Sequence, residues 1–214
     1  IAACDRGGLW GFAFALLDKM RGKAIKADTT GYNTAISSCR LSSHWQHALL
    51  ALERMVQQGP TPDSISFNAV IDVCKQQSLW SWSLHLLDVA GNQADIVTFN
   101  TVAAACVNSG EVQKALMLLE ACVQASLQPS TEIYNTSISA CNNSSLWMEA
   151  VQLLAEADSR EIANTIGLNL AISACEKASQ WVASLHMLES QSPIRKDIVT
   201  YNCAMSACEQ GAEW

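Results

Sequence analysis

The sequence predicts an all-α fold, an α-solenoid built from helix–turn–helix repeats of about 35 residues. Three columns held in register predict it. A cysteine recurs at Cys4, Cys39, Cys74, Cys106, Cys141, Cys175 and Cys208, in steps of 35, 35, 32, 35, 34 and 33 residues. Six residues after each stand Trp10, Trp45, Trp80, Val112, Trp147, Trp181 and Trp214. Six before it, from the second copy onward, stand Asn33, Asn68, Asn100, Asn135, Asn169 and Asn202. Chance does not hold three columns over seven copies. Arrays of this kind stack repeat on repeat rather than closing around one centre, so all 214 residues read as a single array.

The stretch from Thr29 to Asp63 sets the unit. Tyr32, Ala35, Ile36 and Cys39 fall at spacings of 3, 4 and 7, one face of a first helix of roughly 12 residues. Asn33, Ser37 and Arg40 lie on its polar flank. Ser42 or Ser43 is expected to cap a second helix of roughly 14 residues, whose apolar stripe is Trp45, Ala48, Leu49, Leu52 and Met55. Gly59 ends that helix, and Pro60 and Pro62 prevent its continuation. The second-helix stripe returns as Trp80, Ser83, Leu84 and Leu87, as Val112, Ala115, Leu116 and Leu119, as Trp147, Ala150, Val151 and Leu154, and as Trp181, Ser184, Leu185 and Leu188. The small residue three after the Trp lets paired helices approach closely. Eleven residues separate Leu52 from Asp63 but eight separate Leu87 from Asp95, so length variation is expected in the connector. The chain divides into a partial unit 1–28, full units 29–63, 64–95, 96–130, 131–164 and 165–197, and a partial unit 198–214. It begins and ends inside a repeat and reads as a segment of a longer protein.

Half of the residues are hydrophobic, enough for a core that runs between repeats. The net charge of −7 weighs against a nucleic-acid partner, since phosphate binding usually needs a basic surface. It is unevenly spread: residues 1–75 carry eight Lys/Arg and six Asp/Glu, and residues 76–214 carry five and fourteen. Seven of the nine cysteines share one repeat phase and none forms a CxxC pair, so buried thiols in a reducing compartment are expected, with neither metal nor cofactor. His44 and His47 read as surface residues. No apolar run is long enough to span a membrane. No nucleophile–base arrangement or phosphate-cradling glycine loop occurs, so no catalytic residue is assigned and the segment is expected not to be an enzyme.

Units that open Ser66-Phe67-Asn68, Val97-Thr98-Phe99-Asn100, Ile133-Tyr134-Asn135 and Val199-Thr200-Tyr201-Asn202, and close Pro62-Asp63 or Pro129-Ser130, resemble the pentatricopeptide repeat family. Tetratricopeptide repeats carry a different aromatic and glycine signature. The resemblance covers the whole chain. It implies a right-handed superhelix whose first helices line a concave surface, and a single-stranded RNA partner read at one base per repeat. The implied base readers are the Asn after the aromatic and the residue that closes the repeat. Asn33 with Asp63, Asn68 with Asp95, and Asn169 with Asp197 should favour uracil. Asn100 with Ser130 should favour cytosine, and Asn135 with Asn164 should accept cytosine or uracil. The partial units contribute only Asp28 and Asn202. The complete units then read U-U-C-(C/U)-U, a pyrimidine-rich target. Ile65, Val97, Ile166 and Val199 suit the family's role of wedging bases, Thr30 suits it less, and Glu132 departs from it. Arg40, Lys75 and Lys177 lie near the family's backbone-contacting lysine, whereas Val107 and Asn142 do not. The resemblance also implies an organellar protein, mitochondrial or plastid, acting in RNA processing, stability or translation.

Two rival readings accompany these. The Asn column can serve the fold alone, by satisfying backbone groups in the opening turn of the first helix. The Trp column is expected to be structural. The alternative function, motivated by the charge, is a protein-binding α-solenoid scaffold without RNA contact.

Overall fold

A computed structural model describes residues 10–23, 25–40, 44–190 and 193–211. Among the described residues it holds twelve α-helices, one short 3-10 turn and no strand. The first helices of the repeats are α2 (Thr29–Ser38), α4 (Ser64–Gln76), α6 (Ile96–Asn108), α8 (Thr131–Asn143), α10 (Thr165–Lys177) and α12 (Ile198–Gln210). The second helices are α1 (Trp10–Gly22), α3 (Trp45–Gln58), α5 (Trp80–Ala90), α7 (Val112–Gln124), α9 (Trp147–Ser159) and α11 (Trp181–Glu189). The all-α class and the helix–turn–helix repeat are as the periodicity predicts.

The chain divides into two units, residues 1–109 and 110–214. In the first, α2 packs on α4 and α4 on α6, while α1 touches α2, and α3 and α5 each touch the first helices on both sides in sequence. In the second, α8, α10 and α12 form the same row, with α7, α9 and α11 set alongside it. Each repeat thus buries its apolar face only by stacking on a neighbour.

The cysteine column is the floor of both rows. Cys39, Cys74, Cys106, Cys141 and Cys175 are fully buried. Burial pushes the Cys39, Cys74, Cys141 and Cys175 thiols up to about 11, so they stay protonated and pack as small apolar groups. The small residues three after the Trp column, Ala48, Ser83, Ala115, Ala150 and Ser184, have no exposed surface at all. Complete burial at every one of these positions is what close packing of paired helices requires. In the second unit Ile138, Leu168 and Ile172 complete the core with Ala150 and Cys175. Truncating one such Ile to Ala costs about 2–5 kcal/mol.

The cap expected at Ser42 or Ser43 lies outside the described residues. The residue before each second helix (His44, Leu79, Glu111, Leu146 or Gln180) makes no side-chain cap. In the later repeats the chain turns through a left-handed residue four after the cysteine: Ser78, Gly110, Ser145 and Ser179 have φ of 55°, 77°, 57° and 56°. In three of these turns the next N–H closes back on the cysteine carbonyl, as from Leu79 to Cys74 at 3.0 Å, Leu146 to Cys141 at 2.9 Å and Gln180 to Cys175 at 2.8 Å.

The structure corrects three expectations, of which the first concerns repeat length. It varies within the second helix as well as in the connector, because α3 has 14 residues, α5 has 11 and α11 has 9. Trimming the last turn removes residues beyond the buried stripe, so the register of the stripe survives. Second, Trp45, Trp80, Trp147 and Trp181 are half-buried, although the stripe that they open reads as buried. They stand at the first position of the second helix. The Trp181 ring lies so close to Gly211 that a Cβ there would collide with it. Third, His44 and His47 are not free surface residues. Both are half-buried, with ring centroids 4.3 and 4.4 Å from that of Trp10.

Candidate nucleic-acid interface

Every closing residue assigned as a base reader proves to be the N-cap of the next first helix. Asp28, Asp63, Asp95, Ser130, Asn164 and Asp197 all hold that position with extended backbone. The opening N–H groups of a helix lack intrahelical partners, and a short polar side chain supplies one. Asp63, Asp95 and Asp197 accept the N–H three residues on at 2.8, 2.8 and 2.9 Å. Asp28 accepts from Gly31 at 2.8 Å and Asn164 from Gly167 at 2.9 Å. Around the three later aspartates, Ser66, Thr98 and Thr200 return a hydroxyl to the cap's own N–H, completing a reciprocal capping box.

The cap carries the carboxylate to the Asn of the preceding repeat. Asn33 donates through Nδ2 to Asp63 Oδ1 at 3.3 Å, Asn68 to Asp95 at 3.2 Å, and Asn169 to Asp197 at 3.2 Å. The fold therefore joins three of the predicted pairs, in the same way each time. In these pairs the Asn amide reaches the following repeat rather than the opening turn of its own helix, unlike the purely local role considered for the column. Asn135 and Asn164 are joined by no hydrogen bond among the described residues. Asn100 lies in the first unit and Ser130 in the second. Asn202 is exposed on α12.

The charge state of the caps follows from their partners. Burial alone would raise the Asp63 carboxyl, but the Ser66 hydroxyl and N–H and the Asn33 amide hold it below the ordinary value. The Asp95 carboxyl is opposed by burial in the same way, and the Thr98 N–H, the Asn68 amide and the Thr98 hydroxyl lower it. At Asp197 the Thr200 N–H and hydroxyl lower it chiefly. All three are carboxylates at neutral pH, with Oδ1 taking the donors and acceptor capacity left on Oδ2.

Ile65, Val97, Ile166 and Val199 occupy the second position of their helices and are 63, 54, 60 and 52% exposed. Scattered exposed aliphatics need no explanation. Four at one register, each two residues after a cap, give each of these repeats an exposed apolar ledge next to its cap. Glu132 and Thr30 hold the same position and are exposed as well.

The cations proposed for phosphate contact are all engaged. Arg40 and Lys75 converge on Asp72, at 3.6 and 2.5 Å. Lys177 donates to the Asn142 carbonyl at 3.1 Å. Among the described residues, no cluster of three His, Cys, Asp or Glu could hold a metal, and no helix is long and apolar enough to cross a membrane.

The family model of the pentatricopeptide repeat domain matches residues 15–77 and 84–144, more than half of the chain. The chain belongs to the pentatricopeptide repeat family. Its structure superposes on that of the pentatricopeptide repeat protein PPR10 from maize with a TM-score of 0.74 and 26% identity, over 94% of this chain and 30% of that one. A structure of PPR10 in complex with an 18-nt psaJ RNA element matches with a TM-score of 0.71 and 24% identity, over 99% of this chain and 30% of the other. The PPR domain of Arabidopsis thaliana protein-only RNase P 1, solved in complex with tRNA, matches with a TM-score of 0.60 and 14% identity, over 72% and 83% of the two chains. The α-solenoid class is thus that of known pentatricopeptide repeat structures, and the chain spans about a third of the length of PPR10. No curated protein matches the chain.

Two features of this pentatricopeptide interface escape the sequence reading. The closing residue is a helix cap, although Asp-x-x-Ser or Thr at 63–66, 95–98 and 197–200 carries the capping-box signal openly. The pairing of Arg40 with Asp72 crosses repeats, and no local pattern announces it, unlike the i,i+3 pair of Asp72 and Lys75 on one helix.

Proposed function

We propose that this chain is a sequence-selective, single-stranded RNA adaptor that reads pyrimidines at one base per repeat. The observation that carries the proposal is the recurring Asn amide fixed on a cap carboxylate beside an exposed aliphatic ledge. The apolar ledge offers a face for a base to rest on. The second Nδ2 hydrogen of the Asn and Oδ2 of the Asp offer its edge one donor and one acceptor. Uracil presents an N–H between two carbonyls, so a carboxylate accepts from it. Cytosine presents an unprotonated nitrogen there, which the carboxylate repels and a serine hydroxyl can satisfy. Asn33, Asn68 and Asn169 with their aspartates then read uracil, Asn100 with Ser130 reads cytosine, and Asn135 with Asn164 takes either. Asp28 and Asn202 each supply one member of a reader.

Membership of the family, and the likeness to a protein solved with an RNA element, support this reading. An organellar transcript, in mitochondrion or plastid, is the corresponding target. Few phosphate contacts are available, because Arg40, Lys75 and Lys177 already have partners. The salt dependence of binding should be shallow. That scarcity, with fourteen acidic residues against five basic ones over residues 76–214, is also what favours the rival reading of a protein-binding scaffold. The test is affinity for UUCUU-containing RNA against the same RNA with purines at those positions. Selective binding supports the adaptor. Equal affinity for both, or no binding at low salt, overturns it.

A further inference from the structure

In the first complete repeat a third side chain stands between the two proposed readers. The Ser66 hydroxyl lies 2.7 Å from Asn33 Oδ1 and 2.8 Å from Asp63 Oδ1, and it accepts the Asp63 N–H at 3.3 Å. Thr200 repeats the arrangement, at 2.6 Å from Asn169 Oδ1 and 2.9 Å from Asp197 Oδ1, with the Asp197 N–H at 3.1 Å. Both residues are fully buried, so the hydroxyl hydrogen cannot turn to water and must go to one of these acceptors. An ionised carboxylate only accepts, so the Asn must present Nδ2 to it. The hydroxyl meets the Asn from the other side and favours Oδ1 there. Together the two constraints decide which way round the amide stands, and so which of its atoms remains for a base.

The fourth complete repeat supplies an internal comparison. Gly167 holds the third position of α10 and brings no hydroxyl. Asn164 replaces the carboxylate with an amide, which both donates and accepts. The Asn135 oxygen fills the space where a side chain would begin, 2.8 Å from the place of a Cβ on Gly167. Among the described residues, neither a hydroxyl nor a carboxylate there fixes the facing of the Asn135 amide. Asn68 is intermediate: Nδ2 faces Asp95, but the Thr98 hydroxyl is bonded to Asp95 at 2.9 Å and Asn68 Oδ1 is buried without a partner among the described residues.

We infer that the hydroxyl at the third position of the following first helix, at Ser66 and Thr200, is a positioning residue that sets base discrimination by fixing the Asn amide. Degenerate reading at Asn135 follows from its absence. The inference rests on the RNA-reading role proposed above.

The experiment compares the chain with its Ser66→Ala and Ser66→Thr variants on RNAs that differ only in the nucleotide facing the first complete repeat. The readout is the ratio of Kd for cytosine to Kd for uracil at that nucleotide, with a thermal melt of each variant alongside. Ser66→Ala should lower the ratio by roughly three- to tenfold, the worth of one hydrogen bond, and leave discrimination at the other nucleotides intact. Ser66→Thr should keep it. Thr200→Val, measured at the nucleotide facing the last complete repeat, repeats the test where the cap is remote from residue 66. Variants that bind every RNA more weakly but keep the ratio overturn the inference, because the hydroxyl then only caps the helix. An unsubstituted chain with no base preference overturns the RNA reading itself, and that result appears before any substitution is made.

Discussion

Asp63 is asked to do two things at once, and two substitutions separate them. Asp63→Ala removes the acceptor for the Ser66 N–H at 2.8 Å and for the Asn33 amide at 3.3 Å. Loss of an N-cap costs about 1 kcal/mol, within a range of 0.5–2. Loss of the amide bond adds about 1 kcal/mol, since Asn33 Nδ2 is left partly buried without its acceptor. Asp63→Ala should therefore destabilise the first turn of α4 and its contact with α2 by about 1.5–3 kcal/mol. Asp63→Asn keeps an oxygen for the Ser66 N–H, as Asn164 does for Gly167 at 2.9 Å, and should cost less than about 1 kcal/mol. Repeat arrays need not unfold in a single step, so the assay is amide hydrogen exchange in residues 64–68 rather than a global melt. RNA discrimination should show the opposite dependence on chemistry. Asp63→Asn, though folded, should lose its preference for uracil and accept cytosine, because the carboxylate that repels cytosine is gone. Equal protection in both variants would refute the capping argument. An unchanged uracil preference in Asp63→Asn would refute the pairing argument.

The remaining predictions use other parts of the structure. The folded carboxyls of Asp63, Asp95 and Asp197 lie below their unfolded value near 3.9, so the unfolded chain takes up protons first as pH falls. Their contribution to stability is full above about pH 5 and disappears as pH drops through the folded values. Wild-type melts should be flat in this respect from pH 8 to 5 and fall below about pH 4, and the triple Asp→Asn variant should fall less steeply; parallel curves would contradict the assignment. Cys39, Cys74, Cys141 and Cys175, pushed up to about 11 and buried, should resist iodoacetamide in the folded chain and react after denaturation, as mass spectrometry of peptides can show. Ala150→Leu forces a larger side chain into a fully buried contact and should destabilise the second unit by about 1–3 kcal/mol in chemical denaturation, whereas Ala155→Leu, exposed on the same helix, should not. Asp72→Asn releases Arg40 and Lys75 and should tighten RNA binding several-fold at low salt while steepening its salt dependence; an unchanged slope would mean that neither cation meets phosphate.

The fold was legible because each repeat states the same pattern, and seven statements of it overrule local ambiguity. Cys, Trp and the small residue three after the Trp predict two helices, their facing and their spacing. The turn between the helices was not legible. Serine at the left-handed position resembles a capping serine in sequence, and the two differ only in backbone angle. The site was half legible. Asn33 and Asp63 stand 30 residues apart and meet only because α4 stacks on α2 and its cap points back. Resemblance to the family paired them, whereas composition and spacing did not. Ser66 went unweighted because a lone serine in a helix opening carries no message until the amide that it touches is seen. The burial of Trp45 and its equivalents was overestimated because helical periodicity reports the face of a helix and says nothing about its ends.

The most direct test of the account is equilibrium binding of the chain to two short single-stranded RNAs, one carrying UUCUU and the other AAGAA in the same flanks, from low to physiological salt. The account predicts at least tenfold tighter binding to the pyrimidine RNA, with the ratio kept across the salt series because the edge contacts at Asn33–Asp63, Asn68–Asp95 and Asn169–Asp197 are not ion pairs with phosphate. Binding that ignores the bases and vanishes with salt would contradict it.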